Sequence, residues 1–215
     1  MAPDDAQLLK DFCPIVHLHP EEPVAPIRIE EYIQNSTVVN GVYMYSGEPE
    51  LPYRPVDDVP FYGKVDRLDD GGASLLYMFM YPYNAPYQIL GCYPVGAHLG
   101  DLEHVRIEIA NDERIVAASF GQHAKAVRVL AEDLEIVSGK RVAVYSARGS
   151  HACYASAGIK LRWNTALFAN DVCGRHYEWN ATSALVEPWP PELLHSVTQI
   201  GISTNSPTCQ FWWTP

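Results

Sequence analysis

The chain has 215 residues, of which 47% are hydrophobic and 19% charged, and its formal net charge is −11. The apolar content is enough for a core, while 15 Lys and Arg residues without a basic run disfavour nucleic acid as a partner. No apolar stretch is long enough for a transmembrane segment. The N-terminus lacks signal-peptide features, which predicts a cytoplasmic protein as written; two N-x-S/T sequons keep secretion open for a chain whose signal peptide was trimmed.

The first half of the sequence predicts strands separated by turns. Residues 4–12 suit a short helical lead-in, and residues 13–20 alternate apolar and polar positions between prolines, as an edge strand does. Residues 48–60 hold four prolines and predict a surface loop. The acidic, glycine-rich residues 68–72 predict a turn. Residues 73–83 form an unbroken apolar and aromatic run, which predicts a central strand buried on both faces.

The second half begins with a clear hairpin signal. Residues 105–120 alternate in polarity on both sides of a turn at 111–114, and residues 141–146 predict a further strand. Residues 124–137 fit either a helix or a strand, because charged side chains alternate there with β-branched ones. The chain ends in an apolar tail, residues 189–215, which we expect to dock on the domain.

These elements define an all-β fold class with minor α content. We expect an antiparallel β-sandwich, jelly-roll-like, in which residues 1–215 form a single domain. Residues 1–12 lead into it.

The most chemically suggestive segment is H-x-x-D-x-E, formed by His98, Asp101 and Glu103. Alternation along a strand places Asp101 and Glu103 on the same inward face as Val105, where an uncompensated charge is costly. His98 precedes them by a short loop, so one nitrogen and up to four oxygens could converge on Mg²⁺ or Ca²⁺. In the alternative assignment, Asp101 caps the loop, Glu103 pairs with an arginine such as Arg148, and His98 bonds a backbone carbonyl.

Further polar residues follow the ends of apolar strands. His98, His123 and His151 each lie at such an end, where a sandwich gathers loop residues into a pocket. Gly149 would let the chain bend and present its polar neighbours to that pocket. The candidate catalytic residues are His98, Asp101, Glu103, His123, Arg148 and His151, and the candidate substrate-binding residues are Tyr81, Tyr83, Ser150 and Tyr154.

Several of these segments resemble the vacuolar protein sorting sixty-two family of plant and fungal proteins. The matching segments are P-I-V-H-L-H-P-E-E at 14–22, Y-P-Y-N at 81–84, H-L-G-D-L-E-H-V at 98–105, Q-H at 122–123 and Y-S-A-R-G-S-H-A-C-Y at 145–154. The family pattern has Trp at the position of Leu102 and Gly-Gly at the positions of Ala124 and Lys125. The resemblance implies a diverged member of the family.

A more distant likeness is to the necrosis- and ethylene-inducing proteins, which are cytolytic β-sandwiches. Their heptapeptide G-H-R-H-D-W-E helps to hold a divalent cation, and His98, Asp101 and Glu103 are similar to its metal-binding positions. An upstream aspartate of that family has no counterpart near Leu90. The likeness therefore implies a metal site of reduced affinity.

These features lead to three functional hypotheses. The first is an enzyme that dehydrates, isomerises or cyclises a small apolar or aromatic molecule by acid/base chemistry, of the secondary-metabolism cyclase type, without an organic cofactor. The second is a cation-dependent protein that binds a sugar or lipid head group or acts as a cytolysin. The third is a trafficking or scaffold protein, which only the family's name suggests.

Overall fold

The computed structural model describes residues 5–39, 42–47, 59–89, 93–123, 125–161, 171–175, 177–179, 186–188 and 200–201. Two short helices are present in these ranges, α1 (Asp5–Asp11) and α2 (Ile29–Gln34). Apart from one 3₁₀ turn, the other regular elements in these ranges are strands. The strands are β1 (Ile15–Leu18), β2 (Ser36–Val39), β3 (Val42–Tyr45), β4 (Phe61–Arg67), β5 (Ala73–Asn84), β6 (Tyr87–Ile89), β7 (Tyr93–Val95), β8 (His98–Ile109), β9 (Ile115–Gln122), β10 (Lys125–Leu130), β11 (Ile136–Val137), β12 (Arg141–Ser146), β13 (Cys153–Tyr154), β14 (Gly158–Lys160), β15 (Asp171–Cys173), β16 (Tyr177–Trp179), β17 (Val186–Pro188) and β18 (Ile200–Gly201).

The larger sheet has the order β10-β9-β8-β5-β4-β17. Strand β5 lies in its middle and is buried along nearly its whole length, which confirms the central strand expected from its apolar run. Strands β8 and β9 form the predicted hairpin. Within the ambiguous segment, Lys125–Leu130 continue this sheet as β10, and a 3₁₀ turn at Ala131–Asp133 leads to β11, which pairs with β12. The helix alternative for that segment is therefore wrong.

The second sheet has the order β11-β12-β1-β16, with β13 paired to β12. Strand β1 pairs in parallel with β12 and antiparallel with β16, and all four of its residues are buried. The expected edge position was therefore wrong. Pro14 and Pro20 flank the strand without lying in it, so neither interrupts its hydrogen bonds.

The main hydrophobic core lies between these two sheets. Alternate residues of β5, β8 and β9 meet residues of β1 and β12, and Leu8, Leu9 and Phe12 from the α1 region join them. This two-layer packing confirms the β-sandwich, to which β1–β12, β4–β17 and β3–β18 add parallel pairs. A smaller cluster packs α2 against the outer face of the larger sheet through Tyr32 and Met78.

The remaining predictions concern turns and tails. The turn at residues 68–72 is confirmed by a backbone hydrogen bond from Leu68 N–H to Gly72 O, 3.0 Å long. Residues 48–58 of the predicted loop, and the tail 189–215 apart from β18, lie outside the described residues. None of the described helices is long and apolar enough to span a membrane.

Candidate functional site

Strand β8 carries the H-x-x-D-x-E segment into the sandwich. Asp101 and Glu103 are only 6% and 7% exposed, and they lie opposite Tyr81 and Phe79 of β5. This confirms that both carboxylates are on the inward face. The strand begins already at His98, so no loop separates His98 from Asp101 and Glu103.

Gly100 breaks the regular alternation of β8. Its φ is +70°, a conformation that glycine adopts without steric cost, and a Cβ there would lie 2.5 Å from the Tyr32 hydroxyl oxygen. As a result Leu99 and Leu102 both pack on the outer cluster, while Asp101 enters the interior.

A buried histidine compensates the charge of Asp101. His151 Nδ1 lies 2.8 Å from Asp101 Oδ2, and His151 Nε2 lies 3.3 Å from Glu22 Oε1. The imidazole has no exposed surface and stacks on Tyr81, with 3.8 Å between ring centroids and 7° between the planes. We call Asp101, His151, Glu22 and Tyr81 the Asp101 group.

The electrostatics of the Asp101 group make His151 a cation. Burial alone would lower the pKa of His151, but the Glu22 and Asp101 carboxylates outweigh it and raise that pKa to about 9. An imidazolium between two carboxylates is therefore the state at neutral pH. Burial, followed by the nearby Cys153 and then by the Glu22 and Glu103 carboxylates, raises the pKa of Tyr81 well above its ordinary value, so that its hydroxyl stays neutral.

Glu22 also fixes the loop at residues 147–151, which we call the site loop. Gly149 N–H donates to Glu22 Oε2 at 2.9 Å, and Val24 N–H donates to Glu22 Oε1 at 3.2 Å. From the other side, Ala85 N–H donates to Gly149 O at 2.8 Å. In the sequence, Glu22 stands out only as part of the segment at 14–22 that carries the family resemblance. Its site role could not be predicted, because Gly149 lies 127 positions away in the chain.

A second carboxylate gathers three of the predicted residues. Asp171 is 4% exposed; its Oδ1 accepts from Ser150 Oγ at 2.8 Å, and its Oδ2 accepts from Tyr154 Oη at 2.6 Å and lies 2.6 Å from His123 Nε2. We call Asp171, His123, Ser150 and Tyr154 the Asp171 group. No motif marks Asp171 in the sequence, and the apolar residue beside it, Val172, is the exposed one of the pair.

The site loop joins the two groups. Ser150 and His151 are neighbours in the chain but bind different carboxylates, Asp171 and Asp101. His151 has a φ of +55°, which turns the backbone between them. The two groups are thus parts of one polar end of the sandwich.

Other predicted residues lie apart from these contacts. His98 Nδ1 lies 2.8 Å from the backbone oxygen of Gly100, as in the alternative assignment. Arg148 has a half-exposed side chain and pairs with Glu21 at 2.9 Å. Tyr83 is partly buried against the main core.

The described residues do not fit the predicted metal site. No three His, Cys, Asp or Glu side chains among them are grouped so that they could hold a metal ion. His98 is held to a backbone oxygen, and Asp101 is held to His151. Cys13, Cys153 and Cys173 are buried free thiols.

The architecture is shared with solved β-sandwich proteins. The structure of NLPPya in complex with glucosamine superposes with a TM-score of 0.50 at 16% identity, and the match covers 88% of this chain and 76% of that chain. A structure of NLPPya in complex with mannosamine gives the same values. At this identity the likeness defines the fold.

Sequence comparison then identifies the family. Residues 72–186, more than half of the chain, match the family described as vacuolar protein sorting-associated protein 62, and the chain belongs to that family. In Saccharomyces cerevisiae, TDA6, a provisionally named vacuolar protein sorting-associated protein, is 26% identical over a region covering 69% of this chain. The same region is 46% of TDA6, so the chain spans about half the length of this relative.

Proposed function

We propose that this chain binds a small polyhydroxylated amine, such as an amino sugar, at the polar end of its sandwich. The observation that carries the proposal is the Asp171 group, in which one carboxylate meets two hydroxyl groups and an imidazole. The His123 side chain keeps 27% of its surface exposed, which makes this group reachable from solvent.

The chemistry of the Asp171 group suits such a ligand. A carboxylate holds an ammonium group through charge-assisted hydrogen bonds, which are stronger than neutral ones. The Ser150 and Tyr154 hydroxyls can donate to or accept from sugar hydroxyls, and the Tyr154 ring offers an apolar face. The net charge of −11 favours a cationic ligand. The fold neighbours in complex with glucosamine and mannosamine support the same ligand class.

The sequence-based enzyme hypothesis has less support. The family and the fold neighbours are described by sorting and by amino-sugar complexes, and neither description involves dehydration, isomerisation or cyclisation. Tyr81, a predicted substrate-binding residue, is wholly buried and supports His151. A role in sorting and the cellular compartment stay predictions, for which amino-sugar recognition would provide one biochemical basis.

The test is a binding titration in which calorimetry and NMR each monitor the binding. We expect wild-type protein to bind glucosamine in preference to glucose and N-acetylglucosamine, which lack the ammonium group. Asp171→Asn should weaken glucosamine binding roughly 10- to 100-fold, the range for a hydrogen bond to a charged group. Asp69→Asn is the matched control, because Asp69 is an exposed turn residue.

Two further variants guard against a folding defect in Asp171→Asn. Ser150→Ala and Tyr154→Phe each remove one hydroxyl from Asp171 and should weaken binding by a smaller factor. Thermal unfolding of every variant establishes that it is folded at the assay temperature. Equal binding of glucosamine and glucose, or unchanged binding by folded Asp171→Asn, would refute the proposal.

A further inference from the structure

The three described partners of Asp171, which are Ser150, Tyr154 and His123, differ in how easily a ligand can replace them. Ser150 is 5% exposed and belongs to the site loop, which Glu22 and Ala85 hold in place. Tyr154 belongs to β13, which is hydrogen-bonded to β12. His123 lies beyond the end of β9 and has an exposed side chain edge. A ligand arriving from solvent therefore meets His123 first.

The backbone position of His123 makes its side chain easy to release. Gln122 of β9 pairs with Lys125 of β10, so His123 occupies the tight turn between these strands. The turn is closed by backbone pairing, and it does not depend on the contact with Asp171. His123 has a φ of +57°, a left-handed conformation that is unfavourable for most residues other than glycine.

We infer that Asp171 Oδ2 is the acceptor of the ligand's ammonium group and that His123 is the group which this ammonium displaces. The inference rests on the proposed function and deepens it. In the free protein His123 Nε2 and Tyr154 Oη share Oδ2, at 2.6 Å each. An ammonium group donates to the same oxygen in place of the imidazole, so the buried carboxylate exchanges one described partner for another and its charge stays compensated.

The ammonium group of Lys160, near the Asp171 group, does not occupy the position proposed for the ligand's ammonium group at Asp171 Oδ2. Lys160 Nζ lies over the Tyr154 ring, 5.8 Å from its centroid, and donates to Ser156 Oγ at 2.7 Å. The described ion pair of Asp171 is with His123. Since His123 competes with the ligand, removing its side chain should strengthen binding, whereas removing a residue that contacts the ligand would weaken it.

The experiment measures glucosamine dissociation constants for wild type, His123→Gly and His98→Ala. Glycine suits the left-handed turn position, so His123→Gly preserves the hairpin. We expect His123→Gly to bind glucosamine about tenfold more tightly, in line with the loss of a competing charged hydrogen bond. His98→Ala should bind like wild type, because His98 contacts its own strand's backbone. In wild type, ligand addition should shift the His123 ring resonances away from their Asp171-bonded values.

The outcomes separate this inference from the proposed function. If wild type and His123→Gly both fail to bind glucosamine, the proposed function fails and the inference fails with it. If wild type binds and Asp171→Asn does not, but His123→Gly binds equally or more weakly, the inference alone is overturned and His123 is not displaced. Tighter binding by His123→Gly together with the His123 shift in wild type supports displacement.

Discussion

The buried imidazolium of the Asp101 group should give the protein a recognisable pH dependence of stability. The pKa of His151 is raised from its ordinary 6.5 to about 9, because the Glu22 and Asp101 carboxylates outweigh the effect of burial. One pKa unit corresponds to about 1.4 kcal/mol, so His151 contributes up to about 3 kcal/mol to the free energy of unfolding. A raised pKa means that this contribution is complete below pH 6.5 and is lost as the pH rises to about 9.

The perturbation is His151→Gln, which removes the titrating group but keeps a polar side chain. At pH 6.5 the variant should be less stable by about 3–5 kcal/mol, the typical cost of leaving a buried charge without its partner. Between pH 6.5 and pH 9 wild type should lose up to about 3 kcal/mol, whereas the variant should change much less. The difference between the two proteins should therefore shrink as the pH rises.

Urea unfolding followed by circular dichroism measures these free energies at pH 6.5, 7.5 and 9. His19→Gln is the matched control, because it removes a histidine outside both carboxylate groups and should leave the wild-type pH profile intact. Parallel pH profiles for wild type and His151→Gln would refute the argument, since they would show that His151 keeps no extra proton in the folded state.

Three further predictions follow from individual contacts. Glu22→Gln should lower the free energy of unfolding by about 1–3 kcal/mol and expose the site loop amides to hydrogen exchange, whereas Glu21→Gln on the surface should do neither; equal effects would contradict the assigned contacts. Gly100→Ala should cost at least about 1 kcal/mol in urea unfolding, because alanine is strained at a φ of +70° and its Cβ would strike the Tyr32 hydroxyl; a neutral effect would contradict this. Burial, with Arg106 nearby, lowers the pKa of His104 to about 4, so stability should fall as the pH drops from 6.5 to 4, and His104→Gln should flatten that acid limb.

Local sequence patterns predicted the elements whose burial is uniform or strictly alternating. The apolar run of β5 and the alternation in β8 each determine which face is inward, whatever the partner strand. The position of β1 could not be predicted in this way, because its neighbours β12 and β16 come from the distant second half of the chain. The segment that became β10 was ambiguous. Lys125 and Arg128 are three positions apart, as on one face of a helix, while the β-branched Val127 and Val129 suit a strand.

The candidate site was predicted in part for the same reason. Strand parity placed Asp101 inside, and the ends of strands gave His123 and His151. The partners of these residues could be identified only from the folded structure, because Asp101 and His151 are 50 positions apart in the chain and His123 and Asp171 are 48 apart. The spacing of His98, Asp101 and Glu103 suggested convergence, but Gly100 changes the direction of the strand between the first two.

The contrast between the two carboxylate groups explains why the proposed binding site is not at the most suggestive motif. In the Asp101 group the protein itself supplies the cation, which is the His151 imidazolium stacked on the Tyr81 ring. A ligand would have to break the buried ion pair between His151 and Asp101 to enter. In the Asp171 group the histidine side chain is partly exposed. Buried ion pairs contribute little net stability over apolar packing. The presence of the Asp101 group is therefore better explained by its contacts with the site loop. These contacts hold the loop in the position from which Ser150 donates to Asp171.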